Sequence, residues 1–262
     1  MRIAIGISYD GQAYEGWQSQ PSGHTIQDCL EKALSQIAAT PVRLVAAGRT
    51  DTGVHALGQV AHFDCENLRR ESAWVRGANA VLPDSIAIQW AREIPDTFHA
   101  RFSATARRYL YLLYVNPVRP SLLSGKVGWY HAPLDIAAMQ IAARQLTGRH
   151  DFSSFRSSQC QARTPIRNVT RFEIRTVGRY VVFDVQADAF LHHMVRNMVG
   201  SLLYVGKGAN SPDWIETLLE MRNRRQAAPT IAPGGLYLAR VSYGDEWTLP
   251  ESPPQLPLSD FL

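Results

Sequence analysis

The chain has 262 residues, of which 45% are hydrophobic and 19% are charged, and its formal net charge is +4. A chain of this length can bury roughly 70–75% of its unfolded surface, so it needs no disulfide or structural metal for stability. Its three cysteines are scattered singly, and no apolar run approaches the ~18 residues of a membrane span. These features exclude a disulfide-rich secreted domain, and they predict a soluble cytoplasmic protein with no membrane partner.

The positive charge comes from 24 Arg and only 3 Lys residues. Arginine presents a planar fork of donors that suits phosphate, and its guanidinium stacks on nucleobases. A G+C-rich genome that favours Arg codons explains the same bias equally well. Composition therefore permits a nucleic-acid partner without establishing one.

The first half of the chain predicts the element order β-α-β-β-α-β, which is the ferredoxin-like pattern. Thr25 and Asp28 form a capping-box pattern at the start of the first helix. The predicted elements are a strand over 2–9, a helix beginning after Thr25, strands over 42–47 and 59–64, a helix over 72–82 and a strand over 85–93.

The second half predicts the same pattern with additions. Its predicted elements are strands over 105–116 and 127–131, a helix over 136–146, a hairpin over 168–176 and 180–187, a helix over 190–205, a helix over 211–222 capped by Ser211 and a strand over 235–243. We therefore expect an α+β fold in which two ferredoxin-like halves, 1–103 and 104–245, join into one mainly antiparallel sheet. Helices should cover one face, the active-site cleft should lie between the halves, and 246–262 should form an extended or disordered Pro-rich tail.

Residues 46–63 contain the strongest candidate for chemistry. They place Arg49, Thr50 and Asp51 on a glycine-punctuated turn between two predicted strands. A carboxylate on a rigid turn, with a guanidinium nearby, indicates a positioned and ionised Asp51. An Asx-turn, in which Asp51 bonds its own backbone, explains the same pattern. The triplet DTG also occurs in aspartic proteases, but those enzymes need a second carboxylate, and the chain has no second such triplet.

Residues 98–111 place Arg101, Arg107 and Arg108 beside Phe and Tyr side chains. This mixture suits phosphate contacts combined with base stacking, which contributes roughly 1–3 kcal/mol per stacked base. The simpler alternative is a strand with an aromatic core face and a solvated arginine face.

Residues 190–200, read as a helix, place Arg196 at the edge of an apolar stripe. Arg196 should have a partner, because an unpaired buried charge is costly. His192 and His193 would be ~100° apart on such a helix, so we expect that they do not share one metal ion.

Five motifs follow one another along the chain: GRTDxGVHAxGQ, FHARFSA, RRYxY, GxHDFSxF and MVRNMVG. In this order and at these distances they resemble the tRNA pseudouridine synthase A (TruA) family. The resemblance runs from Tyr9 to Tyr237, nearly the whole chain, and leaves out the Pro-rich tail. Residues 226–230, QAAPT, depart from the small Gly-Pro type of pair expected there.

The resemblance implies an isomerase that converts uridines 38, 39 and 40 of the tRNA anticodon stem-loop to pseudouridine, without cofactor or metal. By motif position, Asp51 is the catalytic carboxylate, Tyr109 stacks on the uracil, and Arg196 is the ion-pair partner of Asp51. The other predicted substrate-binding residues are Arg49, Arg101, Arg107 and His55. The family also implies a homodimer.

Two other classes of function stay open at this point. One is a non-catalytic RNA-binding module on the same fold, which would bind RNA even with Asp51 replaced. The other is a hydrolase that uses Asp51 with His55 or His150 and releases free uracil. No Ser or Cys stands on an obvious nucleophile elbow near His150, so we interpret 147–156 as a loop tied into the core by its two phenylalanines.

Overall fold

The computed structural model describes residues 1–67 and 69–250, which form a mixed α+β protein. The chain divides into two compact units: Met1–Thr105 together with the segment from Tyr237, and Ala106–Leu236. The predicted α+β class, with mainly antiparallel strands and helices in both parts, is confirmed. Within the described residues, none of the helices combines the length and the apolar character that crossing a membrane would require.

The strands are β1 Arg2–Tyr9, β2 Val45–Ala46, β3 His55–Asp64, β4 Ile86–Ile94, β5 Ala104–Val115, β6 Gly128–Tyr130, β7 Gly148–Asp151, β8 Ile166–Val177, β9 Tyr180–Ala187 and β10 Leu236–Tyr243. The α-helices are α1 Ile26–Ala38, α2 Ile136–Arg144, α3 Met194–Gly206 and α4 Trp214–Met221. Ala73–Gly77 forms a π-helical segment.

In the first unit the strand order is β4-β1-β3-β10, with β2 paired to β3. β1, which matches the strand predicted over 2–9, is antiparallel to both β3 and β4, and its isoleucines are buried. β10 lies parallel to β3, pairing Tyr237 with His55 and Leu238 with Ala56. Helix α1 begins as predicted, because the Thr25 side chain accepts a hydrogen bond from the Asp28 backbone N–H.

In the second unit the strand order is β5-β9-β8-β7, and β6 pairs parallel to β5. The predicted hairpin is present as β8 and β9, which meet at the pair Val177–Tyr180, and Gly178 takes the positive φ of 58° that the tight turn requires. Helix α2 lies against β8, where Gln140 Nε2 donates to the Ile174 carbonyl.

The strand predicted over 42–47 is reduced to Val45–Ala46. The preceding backbone N–H groups bond to side chains of α1 instead of a strand: Val42 donates to Ser35 Oγ at 2.9 Å and Leu44 donates to Glu31 Oε1 at 2.9 Å. By contrast, β3 begins four residues before its predicted start at Gln59, because its first residues pair with β10.

Two helices in the second unit begin later than predicted. Helix α3 begins at Met194 rather than at residue 190, because His193 adopts the left-handed conformation with φ 63°. Helix α4 begins at Trp214, and its N-cap is Asp213 rather than Ser211. The Ser211 carbonyl accepts from the Trp214 N–H at 3.1 Å, so Ser211 to Asp213 form a turn before the helix.

Two further segments differ from the structure that the sequence predicts. The helix predicted over 72–82 contains the π-helical segment. Of the three residues that its pattern predicts to face inward, Trp74 and Ala78 are buried and Val75 is only half-buried. At the start of the predicted tail, Asp245–Trp247 form a 3-10 turn in which Trp247 packs against Phe98 with ring centroids 5.1 Å apart. The rest of the predicted tail from residue 251 lies outside the described residues.

Candidate functional site

Asp51 lies on the loop that joins β2 to β3, and this loop is held through its backbone. The buried Gln59 donates from Nε2 to the Gly48 carbonyl at 2.8 Å. On the other side, the Trp17 backbone N–H donates to the Thr50 carbonyl at 3.0 Å. Because both anchors come from buried residues, the backbone on the N-terminal side of Asp51 has little freedom to move.

The side chain of Thr50 is also fixed, since its Oγ1 lies 2.8 Å from the buried Tyr9 hydroxyl. A backbone turn follows, in which the Val54 N–H donates to the Asp51 carbonyl at 3.1 Å and Gly53 takes a φ of 76°. This hydrogen bond closes the turn through the main-chain carbonyl of Asp51. The backbone that carries the half-buried Asp51 is therefore preorganised from both sides.

A second loop, before α1, packs closely on the Asp51 loop at Gly16. Gly16 has a φ of +91°, and a Cβ added there would lie 2.7 Å from the Thr50 carbonyl oxygen. Glycine satisfies both the left-handed conformation and the close approach, which a larger residue could not. The sequence places Gly16 and Trp17 within the family resemblance, but only the structure reveals that they support the Asp51 loop.

Of the other predicted residues in this part of the chain, Arg49 lies exposed on the loop, and His55, the first residue of β3, is only 2% exposed. The His55 ring stacks on Tyr237 at 4.7 Å, and its Nδ1 lies 3.1 Å from the Gly11 N–H and 3.0 Å from an Asp10 carboxylate oxygen. These contacts join the loop to β10 and to the end of β1. The predicted contact between His55 and substrate stays a prediction.

Arg101 lies on the loop between β4 and β5, where it is exposed. Its guanidinium carbon lies 5.8 Å from the ring centroid of Phe102, and Phe102 stacks on His99 at 4.2 Å. The Phe102 side chain is 76% exposed, which is uncommon for a large aromatic residue. An exposed ring beside a cation can stack on an unpaired base, which is the kind of contact that the motif predicts.

Arg107 and Tyr109 are two residues apart on β5, so their side chains lie on the same face of the strand. Arg107 Nη1 donates to the Asp188 carbonyl at 2.9 Å. The Tyr109 ring meets Phe190 edge to face, with centroids 5.0 Å apart, and Tyr109 is 9% exposed. The RRY motif identifies Tyr109, but nothing in the sequence predicts that Phe190 holds its ring.

Arg108 has a different role from the one its motif suggests. Its guanidinium binds the buried Asp184 with two hydrogen bonds of 2.7 and 2.8 Å, and Arg171 reaches the same carboxylate at 3.0 Å. The Asp184 hydrogen bonds raise the pKa of Arg108, which opposes the effect of its partial burial. Arg108 thus belongs to an internal ion-pair cluster. The three arginines of residues 98–111 therefore do not form a single phosphate-binding group.

Arg196 lies in the first turn of α3, half-buried, and its Nε donates to the Ile231 carbonyl at 2.9 Å. Its predicted pairing with Asp51 stays a prediction. His192 and His193 precede the helix, and their rings lie 4.0 Å apart. The prediction that they cannot share a metal assumed that both residues lie on a helix, ~100° apart. Because α3 begins only at Met194, this spacing does not apply to them.

His150 and Asp151 do not act as a pair. His150 Nε2 lies 2.9 Å from the Thr147 carbonyl, while Asp151 accepts from the Ser153 N–H at 2.9 Å. They are consecutive residues of β7, so their side chains point to opposite faces. The segment is a strand followed by a 3-10 turn rather than a simple loop, but Phe152 and Phe155 are fully buried as predicted.

The chain matches the family described as "tRNA pseudouridine synthase" over residues 5–103 and 142–244. Among curated relatives, it is 59% identical to the tRNA pseudouridine synthase A of Chromobacterium violaceum over 95% of this chain and 96% of that protein. It is 53% identical to the protein of the same name from Dechloromonas aromatica, over 100% of this chain and 98% of that protein.

One solved structure, of a complex of Cbf5, Nop10 and Gar1, aligns with 77% of this chain and 45% of its own chain. Its TM-score is 0.36 and its sequence identity is 13%. This similarity is too low to support an inference about fold or function.

Proposed function

The chain belongs to the tRNA pseudouridine synthase A family, and from that premise we propose that it isomerises uridines 38, 39 and 40 of the tRNA anticodon stem-loop, with Asp51 acting at the ribose. The general activity, isomerisation of uridine in tRNA, follows from membership of the family. The positions 38 to 40 rest on the motif resemblance. The role of Asp51 rests on one observation: buried Gln59 and Trp17 anchor the backbone before Asp51, and a turn closed by the Val54 N–H fixes the backbone after it.

A rigid carboxylate suits this reaction because its position must be held to within a fraction of an ångström while the base moves. The N1–C1′ glycosidic bond breaks, the uracil turns within the site, and C5 forms a bond to C1′. Asp51 either attacks C1′ to form an acylal or removes the C2′ proton to form a glycal. In both routes Asp51 must be ionised, and the C5 proton leaves to solvent at the end.

The other predicted residues support this chemistry. Tyr109, held by Phe190, offers the uracil a ring face on which to turn and can assist removal of the C5 proton. Arg49, which is exposed beside the catalytic turn, contacts phosphate or fills the space that the flipped uridine leaves. Base flipping costs a few kcal/mol, which stacking and phosphate contacts offset. Arg101 and Arg107 contribute such contacts, and His55 supports the loop.

The proposal requires no cofactor or metal, since side chains and water carry every step. We further propose a homodimer that acts in the cytoplasm, with both subunits contributing to the binding surface for tRNA. Light scattering after size-exclusion chromatography measures the mass of the assembly directly, and a monomeric mass in the active protein would contradict the dimer.

The test uses a tRNA transcript labelled with tritium at uridine C5. Wild type should release the label to water, and Asp51→Ala should release none while it keeps its affinity for tRNA. Mapping the product by primer extension should place pseudouridine at positions 38 to 40. No release by folded wild-type protein would contradict the isomerase, and release of free uracil would instead indicate a hydrolase. A simultaneous loss of binding in Asp51→Ala would mean that Asp51 shapes the loop.

Arg196→Ala should also impair turnover strongly, because the proposed ion pair with Asp51 would be lost. Arg196→Lys keeps the charge but loses the planar fork of donors, so it should recover part of the activity. Near-normal activity in Arg196→Ala would remove Arg196 from the proposed site.

A further inference from the structure

The second unit contains an open pocket of about 660 Å³ that lies outside the residues assigned so far. Its lining includes Arg156, Arg224 and Arg225 together with Asn, Ser, Thr and His side chains, and none of its lining residues is Asp or Glu. Three guanidinium groups beside hydroxyl and amide groups form a set of donors suited to an anion.

Arg224 is held in a fixed position in this pocket. Its Nη2 donates to Asn197 Oδ1 at 3.0 Å and to Thr230 Oγ1 at 3.1 Å, and its Nη1 donates to the Ala227 carbonyl at 3.2 Å. Asn197 is fully buried, and its Nδ2 is in turn bonded to the Phe155 carbonyl at 2.8 Å. The pocket is therefore built on the core rather than formed by mobile surface side chains.

In the part of the chain that the structure describes, no ion pair with a carboxylate balances the charge of these arginines. Arg156 donates to the Cys160 and Ala162 carbonyls at 2.7 and 2.8 Å, which are neutral acceptors. Burial lowers the pKa of Arg224, so a bound anion would stabilise its charged form.

The pocket also adjoins the residues that hold Arg196. His193, the N-cap of α3, is one of its lining residues, and among the described residues this helix end has no side-chain cap. The positive end of the helix dipole therefore adds to the charge of the arginines. Thr230, another lining residue, precedes Ile231, whose carbonyl accepts from Arg196.

We propose that this pocket binds a backbone phosphate of the RNA substrate, next to the segment that holds Arg196. The proposal rests on the proposed function for its ligand, because tRNA is the phosphate-bearing substrate of the family. Free inorganic phosphate offers the same chemistry, and the experiment separates the two sources.

The experiment replaces Arg225, which is exposed and whose side chain forms no hydrogen bond or ion pair within the described part of the chain. Arg225→Gln removes one charge without disturbing the pocket, and Arg225→Lys keeps the charge. Arg144→Gln, an exposed arginine at the end of α2, is the matched control for losing one charge elsewhere in the same unit. Affinity for unmodified tRNA transcript is measured between about 50 and 200 mM salt.

Arg225→Gln should bind tRNA several-fold more weakly, and its salt slope should fall by about 1, as expected for one lost phosphate contact. Arg225→Lys and Arg144→Gln should keep the wild-type slope. Arg224→Gln, assayed only if its thermal unfolding matches wild type, should repeat the effect of Arg225→Gln.

Equal slopes in Arg225→Gln and Arg144→Gln, while wild type forms pseudouridine, would overturn the pocket but leave the proposed function intact. If wild type forms no pseudouridine, the proposed function fails, but the salt slopes of the variants still show whether the pocket binds a phosphate of the tRNA. Titration with inorganic phosphate forms the last arm. Phosphate binding that Arg225→Gln abolishes, with unchanged affinity for tRNA, would overturn the assignment to RNA.

Discussion

Asp184 shows how a single buried residue can determine the roles of its neighbours. It is 1% exposed, and it binds Arg108 through both carboxylate oxygens while Arg171 approaches from the adjacent strand. Charge burial is tolerable here only because each oxygen has a cationic partner. Arg108 is consequently committed to the interior of the second unit, and the RRY motif contributes Arg107 and Tyr109 rather than all three side chains to the candidate site.

We expect Asp184→Asn to lower the free energy of unfolding by about 3 kcal/mol, because it leaves partly buried guanidinium groups without their counter-charge. Glu173→Gln is the matched control, since Glu173 also pairs with Arg171, at 2.7 Å, but its side chain is 59% exposed. It should cost under about 1 kcal/mol. Urea unfolding measures both values, and equal losses would mean that burial of Asp184 does not matter.

The sequence predicts the identity of candidate residues better than their partners. Motif position names Asp51, Tyr109 and Arg196, and hydrophobic alternation places β1 without error. The supports of these residues come from distant parts of the chain, as when Tyr9 anchors Thr50 and Phe190 holds Tyr109. Spacing along the sequence contains no signal for such contacts.

At the scale of elements, the sequence predicts which segments are helices and strands, but long-range contacts move their ends. The 42–47 strand shortens because side chains of α1 take its backbone N–H groups. Helix α3 starts late because the His192 carbonyl accepts from the Ser157 N–H at 3.0 Å and His193 turns left-handed. Neither event follows from propensity, because each depends on contacts with a different segment of the chain.

Gly16, on the loop before α1, provides a test of whether the close packing against Thr50 holds Asp51 in position. Gly16→Ala should lower kcat at least about tenfold, because its Cβ would displace the Thr50 carbonyl, and a shift of roughly 1 Å can cost ~10²-fold. Gly23→Ala is the control: its φ of +69° imposes a similar backbone strain, but no atom lies within 4 Å of the added Cβ.

Both substitutions should reduce stability by roughly 1–2 kcal/mol, the cost of a left-handed alanine. Only Gly16→Ala should change kcat in the tritium-release assay. Equal kcat values for the two variants would show that the Asp51 loop tolerates displacement at Thr50.

At the scale of the whole molecule, stability should depend on pH through His62. This residue is 3% exposed, and its Nδ1 accepts from the Ala100 N–H at 3.1 Å. Burial, with Arg2 and His99 nearby, lowers the pKa of His62 from 6.5 to about 4. The unfolded chain therefore binds the extra proton first as pH falls, so the contribution of the neutral ring is complete above pH 6.5, decreases below pH 6.5 and is fully lost once pH has fallen through 4.

Between pH 7 and pH 4.5 the free energy of unfolding should fall by about 2–3 kcal/mol from this group. His62→Asn keeps an acceptor near the Ala100 N–H but cannot titrate, so its stability should vary less over the same range. Asp64, whose pKa is lowered by its hydrogen bond to Arg2, loses its contribution only at lower pH. Denaturant melts across this range measure the difference, and identical pH profiles for the two proteins would exclude His62 as the source.

The parallel pairing of β10 with β3 has a consequence for synthesis of the protein. The strand that completes the unit carrying Asp51 is translated only after all of Ala106–Leu236. At roughly 5–20 residues per second, that interval lasts on the order of ten seconds. During it the nascent chain exposes a β3 edge that could pair wrongly. The Asp51 loop therefore acquires its final support from the pairing of His55 with Tyr237 near the end of translation, so that a chain stalled before β10 carries the motif but not the finished candidate site.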